Sequence, residues 1–203
     1  MIDNVTNALQ VAVLLFCIIV SVIRAAARKS RTWIVLAFFF GCWWMGDVYW
    51  LSCLFFFDSV PKISVVSDLN WYASYIFLYL LLRQVAPPDG NRRSLPLIGP
   101  AFTMAMAVFY MQWGEYINNL IYASLLGLVM YAVIRRLMEQ RRYEKPKALC
   151  ILILVFCLIE YGLWTTSCYF QAESLSNPYY WFDLLLTASF PFFLIATKKA
   201  VSE

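Results

Sequence analysis

Three carboxylates stand inside apolar runs of this sequence, each with aromatic or hydroxyl neighbours at helical spacing. Asp47 lies in Gly41-Cys42-Trp43-Trp44-Met45-Gly46-Asp47-Val48-Tyr49-Trp50, where Trp43 and Trp50 fall a turn to either side on the same face. Glu160 is followed by Trp164 at i+4 and Ser167 at i+7, and Asp183 lies between Tyr179 and Thr187. Glu115, Asn118, Asn119 and Tyr122 repeat the i, i+3, i+4, i+7 spacing, and Asn70 and Ser74 form a shorter polar face. An ionised carboxyl near the centre of a membrane helix costs about 2.5–3.5 kcal/mol on insertion scales, so such a residue is expected to face a bundle interior and mark a site. Carboxylates with indole and phenol faces suit an organic cation, through charge pairing and cation–π contact. They also suit a proton or a sodium ion. The expected ligand-binding set is therefore Trp43, Asp47, Trp50, Asn70, Asn118, Glu160, Trp164 and Asp183.

A structural role competes with this reading at several positions. Polar side chains between membrane helices serve as hydrogen-bond glue worth about 0.6 kcal/mol on average, and Asn118, Asn119 and Ser74 suit that role. Trp71, Trp113, Tyr179, Tyr180 and Trp181, near span ends, read as an interfacial belt. A protonated acid bonded across helices would satisfy Asp47, Glu160 or Asp183 without any ligand.

The elements that must position these groups are membrane helices. Hydrophobic residues make up 63% of the 203 and charged residues 14%, which is far from soluble composition. Histidine is absent, which removes imidazole metal ligation, axial haem ligation by histidine and histidine-activated nucleophiles. The six cysteines have no zinc spacing, and no segment suits a nucleotide-binding unit or a phosphate loop, so no metal and no cofactor are expected. Cys53 and Cys168 lie near one surface, where a disulfide is conceivable, but free thiols are the expectation.

Apolar runs recur seven times, at about 5–23, 32–57, 69–86, 95–113, 116–138, 147–170 and 178–197. The first follows an acidic start (Asp3) and is long enough to span, so it reads as a helix and not as a cleaved leader. The fold expected is an all-α integral membrane protein, a single seven-transmembrane-helix bundle over 1–203. Pro96 is expected in the first turn of the fourth span, with Pro100 and Pro191 kinking the fourth and seventh. With these spans, 15 of the 16 basic residues fall on one side and only Lys62 on the other. The positive-inside rule makes the crowded side cytoplasmic, with the N-terminus outside and Asp47, Glu160 and Asp183 in the middle or outer membrane. Topology accounts for the basic loops, so no nucleic-acid partner is inferred; the lipid bilayer is the surface partner.

A faint internal echo links the halves. Asp47, Trp50 and Ser52-Cys53 are followed by Pro61 and Asn70-Trp71-Tyr72; Glu160, Trp164 and Ser167-Cys168 are followed by Pro178 and Tyr180-Trp181-Phe182-Asp183. With the topology, this implies 3+1+3 parallel repeats with the fourth span as linker.

Gly46-Asp47-Val48-Tyr49-Trp50, then Pro61 and Ser67-Asp68-Leu69-Asn70-Trp71-Tyr72 with Tyr75, resembles the multi-span membrane sensor modules of bacterial diguanylate cyclases and related signalling proteins. Pro178-Tyr179-Tyr180-Trp181-Phe182-Asp183-Leu184-Leu185 is similar to their last span. The resemblance covers spans two, three, six and seven and places its weight on Asp47, Asp68 and Asp183. It implies a bacterial inner-membrane sensor or receptor that binds a small molecule or cation in its outer half. No effector domain precedes Glu203, so its output is expected to pass to a cytoplasmic signalling partner. A small proton-coupled transporter is the alternative, with one deep acid per half. An acid-pair membrane hydrolase, similar in its Gly-Asp to the lysoplasmalogenase family, ranks third. A retinal protein is excluded, because Lys198 and Lys199 lie at the end of the last span and not in its middle. The 3+1+3 sugar transporters are set aside, because their proline and glutamine hinges are not found.

Overall fold

A computed structural model describes residues 2–57, 59, 64–87, 97–113, 116–139, 145–170 and 174–201. The described residues form seven α-helices: α1 (Ile2–Arg28), α2 (Arg31–Phe57), α3 (Val65–Val85), α4 (Ile98–Tyr110), α5 (Tyr116–Glu139), α6 (Lys147–Tyr169) and α7 (Pro178–Ala200). A 3-10 turn, Met111–Trp113, extends α4. All but α4 are long and apolar enough to cross a membrane. Their outward faces carry large bare side chains, among them Phe16, Phe38, Phe55, Val108 and Phe192. Soluble monomers do not leave such continuous apolar surface uncovered, whereas lipid satisfies it. The chain is a multi-pass membrane protein.

The fourth helix departs from the expected 95–113. It begins at Ile98 and has 13 residues, about 20 Å of rise against a hydrocarbon core of about 30 Å. Pro100 therefore sits in the first turn, where its missing N–H breaks no helical bond, and it does not kink the helix there. Pro96 lies outside the described residues. Elsewhere the ends follow local chemistry. Lys29, at φ 49°, breaks the chain between α1 and α2. Asn177 caps α7 by accepting a bond from the Tyr179 N–H (2.9 Å), with Pro178 in the first helical position.

Six helices close into a ring in the order α1, α2, α3, α5, α6, α7 and back to α1, while α4 packs chiefly on α5 outside it. The paired residues give the directions. Tyr72 reaches the Asn118 carbonyl and Tyr75 packs on Tyr122, so α3 and α5 run parallel. Thr187 bonds to Gln10 and Asp183 lies beside Thr6, so α7 and α1 run parallel too. The other ring neighbours are antiparallel, as Phe38–Phe77, Asn119–Trp164 and Phe156–Phe190 show for three of them. α4 carries the chain back between parallel α3 and α5. Gly99 lies against the Tyr131 backbone and Gly127 against Thr103, and these two close approaches seat α4 on α5.

Every described Lys and Arg lies at one end of the bundle, at or near the ends of α1, α3, α5 and α7 and the starts of α2 and α6. Lys62, the basic residue assigned to the opposite side, lies outside the described residues. Between the two ends sits a dry plug of Phe39, Phe40, Phe156, Phe190 and Phe193, all fully buried, from α2, α6 and α7. Their ring centroids lie 5.1–6.5 Å apart in tilted and edge-on pairs. Lipid is as apolar as phenylalanine, so this plug is held by close contact and ring geometry and not by transfer from water.

Candidate ligand-binding cavity

Beyond the plug, at the end opposite the basic residues, the ring opens into a cavity of about 420 Å³. It lies within the range of small-molecule sites. Its walls come from the N-terminal parts of α1, α3, α5 and α7 and the C-terminal halves of α2 and α6, with Phe170 and Asn177 between the last two helices. Among the described residues five carboxyls line it, Asp3, Asp47, Asp68, Glu160 and Asp183, and no Lys or Arg does. Helical rise sorts them by depth. Asp47 and Glu160 lie about 14–15 Å from the ends of their helices, and Asp68 and Asp183 within about 8 Å. Asp3 is at the start of α1. The carboxyls of Asp47, Glu160 and Asp183 are close enough for their charges to act on one another.

The two deep acids are built alike. Asp47 is 3% exposed, and its Oδ1 accepts a hydrogen bond from the Trp71 indole N–H at 3.1 Å. That approach depends on Gly46, where a Cβ would stand 2.7 Å from the Trp71 nitrogen and 3.3 Å from the Ser67 carbonyl. Glu160 is 2% exposed, and its Oε2 accepts from the Tyr75 hydroxyl at 2.6 Å. The Tyr122 hydroxyl is shared between the same oxygen (3.3 Å) and the Glu160 carbonyl (3.0 Å). In each acid the second oxygen, Asp47 Oδ2 or Glu160 Oε1, is buried and has no hydrogen-bond partner among the described residues. The Gln10 side chain faces Asp47, with its own oxygen accepting from Thr187 (3.0 Å). Neutral donors hold the acids in place, and nothing positive compensates them.

The walls are aromatic. Tyr122 stacks on Trp164 (4.6 Å, 21°), whose indole N–H donates to Asn119 Oδ1 at 3.1 Å. Trp43 meets Tyr75 edge-on (5.6 Å) and forms the floor against Phe156 and Phe190. Trp50 and Trp71 pair at 5.9 Å nearer the mouth. Among the described residues, no three acid or cysteine side chains sit at metal-coordinating spacing. All six cysteines are free, Cys53 and Cys168 included.

Of the eight residues singled out in the sequence, the fold brings Trp43, Asp47, Trp50, Glu160, Trp164 and Asp183 to this cavity. Asn70 and Asn118 are not in its lining. The Asn70 amide donates to the Val66 carbonyl of its own helix (2.8 Å), and Asn118 offers its backbone carbonyl to Tyr72 (3.2 Å). Each is adjacent in sequence to the residue on the inward face, a rotation of about 100° away. Asn119 does act between helices, donating to the Tyr110 carbonyl at 3.1 Å, whereas Ser74 bonds within α3. Glu115 lies outside the described residues. Trp71, Tyr179 and Tyr180, assigned from the sequence to the interfacial belt, line the cavity instead. Trp181 is more than half exposed and caps the Leu175 carbonyl (2.9 Å).

The lining also includes Asp3, Asn7 and Gln10 from α1 and Trp71, Tyr72 and Tyr75 alongside Asp68 from α3. Their signal was present, since 3, 7, 10 and 68, 71, 72, 75 repeat the same face spacing as the acids of α2 and α6. Compared with family models, with curated proteins and with solved structures, the chain matches none.

Proposed function

We propose that the chain is a seven-pass receptor-type module of a bacterial inner membrane, with its N-terminus outside and its C-terminus cytoplasmic. It holds a small ligand in the outer half of the bundle and passes occupancy to a cytoplasmic partner. The observation that carries this reading is the cavity itself, lined among the described residues by five carboxyls, many aromatic rings and no basic side chain, above a packed aromatic floor. A site of this kind collects cations through its mouth and presents them with no open path beyond the plug. The segregation of described basic residues to the other end supports the orientation. The return of the chain between parallel α3 and α5 supports α4 as the seventh crossing despite its length.

The test is ligand-dependent thermal stability of the purified full-length protein across a panel of small cations. A hit should stabilise the wild type, and Asp47→Asn should abolish that response while leaving the unliganded melting temperature within a few degrees. A variant that merely melts early would make Asp47 structural and refute the reading.

One observation favours transport as a second reading. The ring order is unchanged when α1, α2, α3 are exchanged with α5, α6, α7, which supports the 3+1+3 parallel repeat and puts Asp47 and Glu160 on equivalent helices. Uptake into proteoliposomes driven by an imposed pH gradient, and lost in Glu160→Gln, would move this reading ahead of the receptor.

A further inference from the structure

Resting on the reading of the cavity as a ligand site, we infer that its ligand is a small protonated amine that retains N–H donors. Its ammonium group sits between Asp47 and Glu160, and its apolar part lies along the aromatic wall. Two independent features point there. The first is the sign of the lining: among the described residues five carboxyls line the space and no Lys or Arg does, so the anionic group of an anionic or zwitterionic ligand would meet repulsion. The second is the pair of orphaned acceptors. Asp47 on α2 and Glu160 on α6 line the same cavity, and Asp47 Oδ2, with the Gln10 side chain near its carboxyl, and Glu160 Oε1 are buried with no direct hydrogen bond among the described residues, while the other oxygen of each carboxyl is already occupied by Trp71 or Tyr75.

Buried acceptors left without a donor are costly, so each marks the position of a missing N–H or O–H. α2 and α6 stand opposite each other in the six-helix ring, so the two acids belong to facing walls of the cavity. A primary ammonium carries three donors on one centre and can supply both oxygens at once. A quaternary ammonium satisfies the rings through cation–π contact but has no N–H to offer, so it would leave both oxygens unpaired. A compact metal ion lacks a coordinating triad among the described residues. The indole and phenol faces of Trp43, Trp164 and Tyr122 suit an aryl or alkyl body attached to the ammonium.

The experiment is isothermal titration of the full-length protein in nanodiscs with butylamine, 2-phenylethylamine and tryptamine. Each is compared with its N,N,N-trimethyl analogue and with the alcohol of the same shape. At least one amine should bind ten times or more tighter than both of its analogues, and Asp47→Asn and Glu160→Gln should each weaken it at least tenfold. The amine-to-trimethyl ratio is read on the wild-type protein and stands even if a variant fails to fold. Trimethyl analogues binding as well as the amines would overturn the inference and leave a cation site read through its rings. Alcohols binding as well as the amines would overturn it in favour of carboxyls acting as neutral hydrogen-bonding groups. No binding of any amine at millimolar concentration would overturn it as well. Stabilisation by other cations in the thermal panel would then keep the ligand-site reading, and its absence there would remove both.

Discussion

Tyr75→Phe isolates the contact on which the position of Glu160 most depends. The substitution removes one hydroxyl from a ring that is 1% exposed and changes the volume little, so no sizeable cavity is left behind. Its energetic effect is therefore that of the 2.6 Å bond to Oε2. That length falls in the range of a hydroxyl donating to an ionised carboxylate, for which about 1.5–3 kcal/mol is usual. Hydrogen bonds inside membrane proteins measure lower, about 0.6 kcal/mol on average and about 1.7 at most. Tyr122 gives only partial compensation, because its single proton is already divided between Oε2 and the Glu160 carbonyl. These bounds place the loss at about 1.5 kcal/mol. A double-mutant cycle with Glu160→Gln, measured by reversible unfolding in bicelles, should return a coupling of about 0.5–1 kcal/mol, a part of that loss. The glutamine keeps an acceptor for Tyr75, so the cycle reports the charge in the bond more than its existence. A coupling below about 0.5 kcal/mol would refute the charge-assisted bond and leave Glu160 as ordinary interhelical glue.

Gly46→Ala should destabilise the protein by about 1–3 kcal/mol, because the new methyl must displace Trp71 from Asp47. Gly41→Ala, with nothing within 4 Å, should be neutral or slightly stabilising in the same unfolding assay, and equal effects at the two sites would refute the notch. In a cysteine-free background, a cysteine at Ser174 should react with impermeant maleimide from outside intact cells and one at Ser30 should not. The reverse pattern would overturn the proposed orientation.

The spans were legible because six helices each carry an apolar run that only a bilayer or a very large core can accommodate. The fourth run, about 95–113, contains a helix from Ile98 continued by the 3-10 turn to Trp113, because hydropathy registers apolar residues without registering where helical geometry starts. Asp47, Glu160 and Asp183 were legible for an energetic reason: ionisable groups in apolar runs are rare enough to need a site. Asp3 and Asp68 lie in the first turns of α1 and α3, where an acid is cheap and helix ends favour it, so burial cost marks neither, and Asp68 is singled out only by the resemblance. Trp71 was misread for a related reason. A tryptophan three residues after an aspartate near a span end has the pattern of an interfacial anchor, and only the approach of α3 to Gly46 turns it inward. The orphaned oxygens have no sequence signature at all. They depend on which partner reaches which atom, and that is decided by the packing of three helices at once.

The same packing decides which helices supply the donors to each acid. Gly46 on α2 receives the Trp71 ring of α3, and Gly162 on α6 receives the Phe182 ring of α7, so both deep acids stand beside a glycine notch filled by an aromatic side chain. The α2 notch is filled by an indole, whose N–H reaches Asp47. The ring in the α6 notch has no donor. Glu160 therefore takes its bonds from Tyr75 and Tyr122, on α3 and α5. What α7 contributes next to Phe182 is a third carboxyl, Asp183, with Asp3 of α1 close by. Asp47 thus draws donors from α3 (Trp71) and α1 (Gln10), Glu160 from α3 and α5, and Asp183 from Thr6 of α1. On the proposed binding of an amine between Asp47 and Glu160, the carboxyls of Asp183 and Asp3 would attract the ammonium toward α7 and α1. On that proposal Asp183→Asn should weaken amine binding while leaving the Trp71, Tyr75 and Tyr122 bonds to the two deep acids in place, and an unchanged affinity would refute the pull toward α7.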